Sequence, residues 1–207
     1  MRDNEKIPDS TIRRVSAYYR AVSDLVAAGQ PTASSYEIAR RSGATSPQFR
    51  KDLSLFGNFG KRGMGYRVAA LHEELKAILG LNRRWRVAVV GAGNLAHALS
   101  EYREFRRQGF LIVAVFDVDP GRVGQEWNGV TVEHFDRFAI AARTGAFEMG
   151  VITTPAAAAQ DVADRMVEAG ILGILNFASV KLVVPDQVTL RNVDMAIEME
   201  SLSFALK

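Results

Sequence analysis

Apolar residues near the start of the chain recur at intervals of three and four positions, the spacing of a helix that buries one face. The first such stretch covers residues 11–28. Ser10 or Thr11 is suited to cap its beginning, and Gly29 followed by Pro31 is suited to end it. The stretch predicts an amphipathic helix with apolar positions at Ile12, Val15, Tyr18, Tyr19, Val22, Leu25 and Val26.

Two shorter helical stretches follow, separated by a turn that contains Gly43. The first begins at Ser34 or Ser35, and the second covers residues 47–56 behind a Thr-Ser pair suited to an N-cap. Two short helices across a tight turn form a helix-turn-helix. The next ten residues, GNFGKRGMGY (57–66), hold four glycines around a Lys-Arg pair. They predict a hairpin tip, the wing of a winged-helix domain.

The helix after such a turn can enter the major groove of DNA with its first side chains reaching the bases. Gln48 and Arg50 are residue types that pair with adenine and guanine edges, and Lys51 suits a phosphate. We therefore expect DNA contacts from this helix and the wing. The expected residues are Ser46, Gln48, Arg50, Lys51, Lys61 and Arg62.

Charge is distributed unevenly and supports the same expectation. Residues 1–84 hold 15 Lys and Arg against 8 Asp and Glu, a net charge of +7, whereas residues 85–207 carry a net charge of −4. A small basic module favours a polyanionic partner such as nucleic acid. The alternative is a generic three-helix domain with a solvated hairpin, because helix-turn-helix geometry alone does not make a DNA-binding protein.

From residue 85 onward the pattern changes to continuous apolar runs, which are typical of buried parallel strands. Helical stretches alternate with these runs, and this order predicts an α/β Rossmann fold. The expected strands cover residues 87–90, 110–117, 149–153 and 173–177, and the expected helices after the first pair of strands cover residues 135–143 and 156–169.

The first of these strands ends in a G-x-G-x-x-A turn, a variant of the dinucleotide fingerprint. Its glycines permit the turn and close approach of a pyrophosphate to the backbone, and the following helix offers amide donors. The expected pyrophosphate-binding residues are Gly91, Ala92, Gly93, Asn94, Leu95 and Ala96. The alternative is a Rossmann-like scaffold that binds no nucleotide.

Asp117 ends the second strand, 21 residues beyond Ala96. A carboxylate there accepts hydrogen bonds from the adenosine ribose and repels a 2′-phosphate, which favours NAD over NADP. Arg122 lies five residues further on and is placed to soften that preference.

Two later loops fall at the carboxyl ends of strands, where open α/β sheets bind ligands. We expect cofactor contacts there; the alternatives are core packing for Phe177 and a helix cap for Thr154. The expected residues are Thr153, Thr154, Pro155, Asn176, Phe177 and Ala178.

Several classes of function are disfavoured. The chain has no cysteine and three scattered histidines, so we expect no metal site. It has no stretch of membrane-spanning length and no apolar leader, so we expect a cytoplasmic protein. About thirty residues follow Asn176, too few for a substrate domain, and Lys181 is a candidate base without an obvious partner. We therefore expect a regulator that uses the cofactor as a signal, with an NAD-dependent oxidoreductase bearing a helical cap as the rival.

Over nearly its whole length the chain resembles the Rex family of redox-sensing transcriptional repressors. The segments that carry the resemblance are FRKDLSLFGNFGKRGMGY (49–66), LGLNRRW (79–85), VGAGNLAHAL (90–99), FDVDP (116–120), GILNFA (173–178) and NVDMAIEMESLSF (192–204). Two positions depart from the family pattern: Ala178, where many relatives have proline, and Met195, where some have an aromatic residue.

The resemblance implies a winged-helix domain over residues 1–80, a Rossmann domain over 81–186 and a C-terminal helix over 187–207 that is swapped in a homodimer. It implies a repressor that senses NADH and NAD+, binding a palindromic double-stranded operator when NADH is scarce and releasing it when NADH binds. It also implies switch contacts between Asp194, the partner's Tyr102, and Arg13 or Arg14.

Overall fold

The structure is a computed structural model that describes residues 7–60 and 64–207. It divides into two compact units between Arg83 and Arg84, three residues beyond the expected boundary. Each unit has its own apolar core.

The first unit consists of helices closed by a small antiparallel sheet. Its elements are α1 (Asp9–Ala27), β1 (Thr32–Ala33), α2 (Ser35–Arg41), α3 (Ser46–Ser54), β2 (Tyr66–Arg67) and α4 (Val68–Ile78). The side chains of Ser34 and Thr45 cap α2 and α3 as the sequence predicts. The core joins the helices through residues such as Val15, Tyr18, Phe49 and Leu71.

The beginning of α1 differs from the prediction. Pro8 occupies the N-cap position, and its carbonyl oxygen accepts hydrogen bonds from the N–H groups of Thr11 and Ile12. Thr11 is buried, and its hydroxyl accepts a hydrogen bond from Arg14. The expected Ser10 or Thr11 cap is therefore wrong, because the backbone of Pro8 already satisfies these donors.

The wing also differs from a simple hairpin. β2 pairs with β1, so the strand after the glycine-rich loop returns to a distant segment of the chain. Gly65 has a φ of +73°, and a Cβ there would lie 2.6 Å from the carbonyl oxygen of Ala33, so close strand approach requires glycine. Lys61 and Arg62 lie outside the described residues. The helix α4, which buries Val68, Leu71 and Leu75, was not predicted.

The second unit is a doubly wound sheet. Its elements are β3 (Trp85–Val90), α5 (Asn94–Glu101), α6 (Arg103–Arg107), β4 (Phe110–Asp117), β5 (Glu126–Trp127), β6 (Val130–His134), a 3-10 turn (Phe135–Arg137), α7 (Phe138–Arg143), β7 (Met149–Ile152), α8 (Ala156–Glu168), β8 (Gly173–Asn176), β9 (Thr189–Asn192) and α9 (Met195–Ala205). The strand order is β5-β6-β4-β3-β7-β8-β9, with β5 antiparallel to its neighbour and the other pairs parallel. The chain reverses its direction of winding between β3 and β7.

The C-terminal segment is not helical throughout. Thr189 pairs with Gly173, and Asn192 pairs with Asn176, so β9 extends the sheet. The predicted helix over 187–207 therefore begins only at Met195, after the cap residue Asp194. The sequence pattern missed β9 because its four residues are largely exposed and show no apolar run.

The two faces of the sheet are covered unequally. Helices α7 and α8 bury one face around residues such as Phe116, Phe138 and Met166. On the other face an apolar groove remains open between the strands and the α5–α6 region. We call it the open groove, and it is lined in part by Val89, Leu99, Phe105, Ile112, Val151 and Leu175.

Candidate functional site

The fingerprint turn is held against the loop that follows β7. Gly91 has a φ of +101°, and a Cβ there would lie 2.8 Å from the carbonyl carbon of Thr153. The Thr153 hydroxyl donates hydrogen bonds to the carbonyl oxygens of Val90 and Gly91, at 3.0 and 2.8 Å. The turn therefore requires glycine at its first position and is tied to the neighbouring loop at the point where the winding reverses.

The beginning of α5 is open to a ligand. Gly93 is its N-cap residue, and no side chain caps the first turn. The nearest atom to a Cβ built on Gly93 is a guanidinium nitrogen of Arg122, 4.0 Å away. Ala92 and Ala96 are buried, whereas Asn94 and Leu95 are exposed. The amide groups of this first turn are therefore available to an anion such as a pyrophosphate.

Asp117 is almost completely buried behind this turn. Its Oδ2 accepts hydrogen bonds from the N–H of Ala92 (2.6 Å) and from Arg122 (3.0 Å), and its Oδ1 accepts one from the N–H of Asp119 (2.9 Å). Burial alone would raise the pKa of Asp117, but these donors outweigh burial and lower it. The carboxylate is therefore charged and fixed beside the turn.

The loops after β7 and β8 differ in how their polar side chains are hydrogen-bonded. The buried Thr154 hydroxyl has no hydrogen-bond partner, and the N-cap of α8 is Pro155, so Thr154 does not cap that helix. Asn176 is completely buried, and its amide donates to the carbonyls of Ala178 and Val180 and to the Asn192 side chain.

The Asn176 side chain is thus occupied in shaping its own loop. Its Oδ1 also accepts a hydrogen bond from the N–H of Ala178. Phe177 is partly buried and packs against a core cluster that includes Val89 and Val151, and its contact with the cofactor stays a prediction.

A cavity of about 170 Å³ lies between these elements. Its walls include Gly91, Asp117, Val118, Arg122, Phe135, Thr153, Thr154, Pro155 and Arg165. A glycine-rich turn, a buried carboxylate and an unpartnered hydroxyl are features that suit the binding of a dinucleotide. The residues present therefore fit such a cofactor.

A buried charged cluster ties α3 to α1 in the first unit. Asp52 on α3 is 2% exposed. Arg14 binds both of its carboxylate oxygens, through Nε at 2.6 Å and Nη2 at 2.8 Å. The hydroxyl of Tyr18 and the amide of Gln48 also donate to it, at 2.7 and 2.8 Å. Four donors therefore converge on one carboxylate.

These contacts change the titration of the groups involved. Burial would raise the pKa of Asp52, but the hydrogen bonds from Arg14, Tyr18 and Gln48 lower it. Burial and the hydrogen bond to Asp52 raise the pKa of the Tyr18 hydroxyl. Asp52 is therefore a charged group inside the unit, and its partners hold α3 in one orientation on α1.

The predicted DNA-contacting residues of α3 differ in their freedom. Arg50 and Lys51 are exposed, and Arg50 donates to the Ser35 hydroxyl at 3.0 Å. Ser46 is partly buried at the first position of α3. The amide of Gln48 donates to the carboxylate of Asp52 one turn further along α3, and this i,i+4 spacing is the sequence signal for the contact.

The predicted switch residues differ in their exposure and in their hydrogen-bond partners. Arg14 is paired with Asp52, whereas Arg13 is exposed. Tyr102 is 54% exposed at the break between α5 and α6. The carboxylate of Asp194 accepts a hydrogen bond from the N–H of Ala196 and caps α9.

The described residues hold no metal cluster and no membrane-spanning helix. Within 7–60 and 64–207 no cluster of three or more His, Asp or Glu could hold a metal ion. No helix in this part of the chain is both long and apolar enough to cross a membrane. A helix-turn-helix unit followed by a dinucleotide-type fold defines the class of ligand-responsive transcription regulators.

Comparisons with known proteins identify the family within this class. The family model "CoA binding domain" matches residues 82–180, and "Putative DNA-binding protein N-terminus" matches residues 6–54. The redox-sensing transcriptional repressor Rex of Carboxydothermus hydrogenoformans is 48% identical over 98% of this chain and 97% of its own. The Rex of Desulfitobacterium hafniense is 46% identical over 96% and 95%.

Solved structures agree with the sequence comparison. A crystal structure of RSP in complex with β-NAD+ and operator DNA has a TM-score of 0.92 at 34% identity and covers 97% of this chain and 92% of that one. RSP is described as a Rex-family repressor. The chain belongs to the Rex family of redox-sensing transcriptional repressors. The predicted fold class and family are thereby confirmed.

Proposed function

We propose that this protein represses transcription by binding a palindromic operator when NADH is scarce and releases the operator when NADH binds. The observation that carries the proposal is the fingerprint turn, which requires glycine at Gly91 and has the buried carboxylate of Asp117 hydrogen-bonded behind it. The fold of the chain also matches that of RSP in complex with β-NADH, with a TM-score of 0.88. When bound, the cofactor reports the redox state and undergoes no reaction.

The proposed pyrophosphate site is the turn Gly91–Ala96, and Asp117 would hold the adenosine ribose. The loops at 153–155 and 176–178 would flank the nicotinamide. NAD+ carries a cationic nicotinamide and NADH a neutral one, and an unpaired cation is costly to bury against apolar groups such as Pro155 and Phe177. This difference favours NADH and supplies the differential affinity that a switch requires.

On DNA, Arg50 is the proposed base-reading residue, and Lys51 a phosphate contact, with Ser46, Lys61 and Arg62 as further contacts from the helix start and the wing. Gln48 is a positioning residue in this proposal, because its amide supports Asp52. Since a repressor acts on chromosomal DNA, we place its action in the cytoplasm.

A homodimer is supported by two apolar surfaces of this chain that complement each other. Six apolar residues of the C-terminal segment are 53–80% exposed: Met195, Ile197, Met199, Leu202, Phe204 and Leu206. The open groove is an apolar surface of matching character on the sheet. Exchange of α9 between two copies would bury both surfaces, which isolated soluble chains rarely leave exposed.

The proposed switch contact joins Asp194 with the partner subunit's Tyr102 in one state and with an arginine of α1 in the other. Arg14 is held by Asp52, so we assign this role to Arg13. Arg20 is also exposed and lies two turns further along α1, so a substitution of Arg20 is the matched control for a substitution of Arg13.

The test is an anisotropy titration of a labelled palindromic duplex with the full chain. NADH should dissociate the complex at concentrations at which NAD+ does not, and added salt should weaken binding. Dissociation by both forms at the same concentration would refute the redox response. Turnover of a hydroxy or keto compound in parallel assays would instead support an oxidoreductase.

A further inference from the structure

Arg122 stands at the rim of the proposed cofactor cavity, beside the acid that would hold the ribose. Its Nη1 lies 3.0 Å from Oδ2 of Asp117, and its Nε lies 3.6 Å from a carboxylate oxygen of Asp119. The Arg122 side chain is 43% exposed, whereas that of Asp117 is 7% exposed. An accessible cation therefore covers a buried anion at the point where a ribose would arrive.

The hydrogen-bonding capacity of Asp117 is nearly exhausted. A carboxylate offers about four acceptor positions. The N–H groups of Ala92 and Asp119 use two of them, and Arg122 uses a third. The two backbone donors belong to the turns that shape the site, so they cannot leave without disrupting it. The position that a second ribose hydroxyl needs is therefore the one that Arg122 holds.

We propose that Arg122 sets how strongly this site discriminates between a dinucleotide with a free ribose 2′-hydroxyl and one with a phosphate at that position. When the ribose carries a free diol, Arg122 gives up its hydrogen bond to Asp117. The carboxylate of Asp117 then accepts hydrogen bonds from the ribose hydroxyls. With a 2′-phosphate, the guanidinium binds the phosphate oxygens and offsets their repulsion by Asp117. Arg122 thus weakens the rejection of NADPH that Asp117 alone would produce.

This inference rests on the proposed function, namely that the cavity binds NAD(H). It is tested by titrating the full chain with NADH and, separately, with NADPH. In Arg122→Gln the affinity for NADPH should fall about tenfold or more, since a charge-assisted contact to phosphate is lost, while NADH affinity stays within about threefold. Arg122→Lys keeps the cation without the planar fork and should lose less. Arg143→Gln, which removes an exposed cation at the end of α7, is the matched control and should change neither affinity.

A second pair of variants covers the case in which wild-type affinity for NADPH is too low to measure. Asp117→Ser removes the repelling carboxylate and should raise NADPH affinity to a measurable level. Adding Arg122→Gln should then reverse that gain by about tenfold. A gain that survives in the double variant would show that the guanidinium does not reach the 2′ substituent.

The outcomes separate this inference from the function on which it rests. Equal losses of NADH and NADPH affinity in Arg122→Gln would mean that Arg122 only orients Asp117, and the inference would be wrong while NADH binding stands. If wild-type protein binds neither dinucleotide, the proposed function fails and the inference fails with it.

Discussion

Replacement of Asp52 by asparagine tests the buried cluster that holds α3 on α1. The substitution keeps the volume of the side chain but removes its charge and one of its two acceptor oxygens, so Arg14 loses the ion pair and one acceptor, and Tyr18 loses a charged acceptor. Breaking a fully buried ion pair costs about 3–5 kcal/mol. The Arg14 side chain is 33% exposed and can turn to water, which reduces the expected loss to about 2–3 kcal/mol.

The sign of the pH dependence follows from the lowered pKa of Asp52. A carboxyl group with a lower pKa in the folded than in the unfolded state contributes its full stabilisation above the unfolded value, about 3.9. That contribution is lost as the pH falls through the folded pKa. The difference in stability between wild-type protein and Asp52→Asn should therefore be constant near neutral pH and shrink on acidification below about pH 4.

The assay is thermal unfolding of the full chain at several pH values, with Asp24→Asn, an exposed acid on α1, as the matched control. For a unit of this size each kcal/mol lowers the melting temperature by about 4–8 °C. The transition of the first unit should fall accordingly in Asp52→Asn, and DNA binding should weaken while NADH binding is retained. A shift no larger than that of Asp24→Asn, or a shift that grows in acid, would refute the reasoning.

Four further results are expected. Asp117→Ala should weaken NADH binding and raise relative NADPH affinity; an unchanged preference in a binding titration would remove it from the ribose site. A chain ending at Val193, which retains β9 but lacks α9, should be monomeric by light scattering, and a stable dimer would contradict helix exchange. Arg50→Ala should cost about 1–3 kcal/mol of discrimination between operator and random duplex, whereas Lys51→Ala should weaken binding to both alike. Asp194→Ala should bind NADH by fluorescence yet fail to release DNA by anisotropy; release at the wild-type midpoint would exclude it from the switch.

The sequence was sufficient where one local pattern determines the structure. The run at 110–117 forms β4 with the predicted bounds, because a continuous apolar stretch that ends in an acid has few other solutions in an α/β protein. The fingerprint turn could also be predicted from the sequence, because the positive φ and close backbone contact at Gly91 require glycine.

Features that depend on distant residues were not readable. Asp52 looks like an ordinary surface acid on a helix, and its burial depends on Arg14 and Tyr18, which lie more than thirty positions away. The strand β9 lies at the edge of the sheet and lacks apolar periodicity, so only its pairing with β8 defines it. The hydrogen bonds of the Asn176 amide to the carbonyl of Ala178 and to the Asn192 side chain could not be predicted from the local pattern, and its contact with the cofactor stays a prediction.

The cluster around Asp52 also restricts how a switch can act on DNA. Arg13 and Arg14 are adjacent on α1. Arg14 donates two short hydrogen bonds to Asp52 on α3, whereas Arg13 is exposed. A pull on Arg13 by Asp194 would therefore move α1 and α3 together, because the buried ion pair between Arg14 and Asp52 joins the two helices and is costly to break. In the proposed dimer, α3 would keep its shape, and the separation between the two copies of α3 would change. Two half-sites spaced by about one helical turn, roughly 34–36 Å, tolerate little change in that separation. In the proposed switch, a change in the geometry between the two subunits would therefore release DNA, while the DNA-contacting face of each α3 stays unchanged.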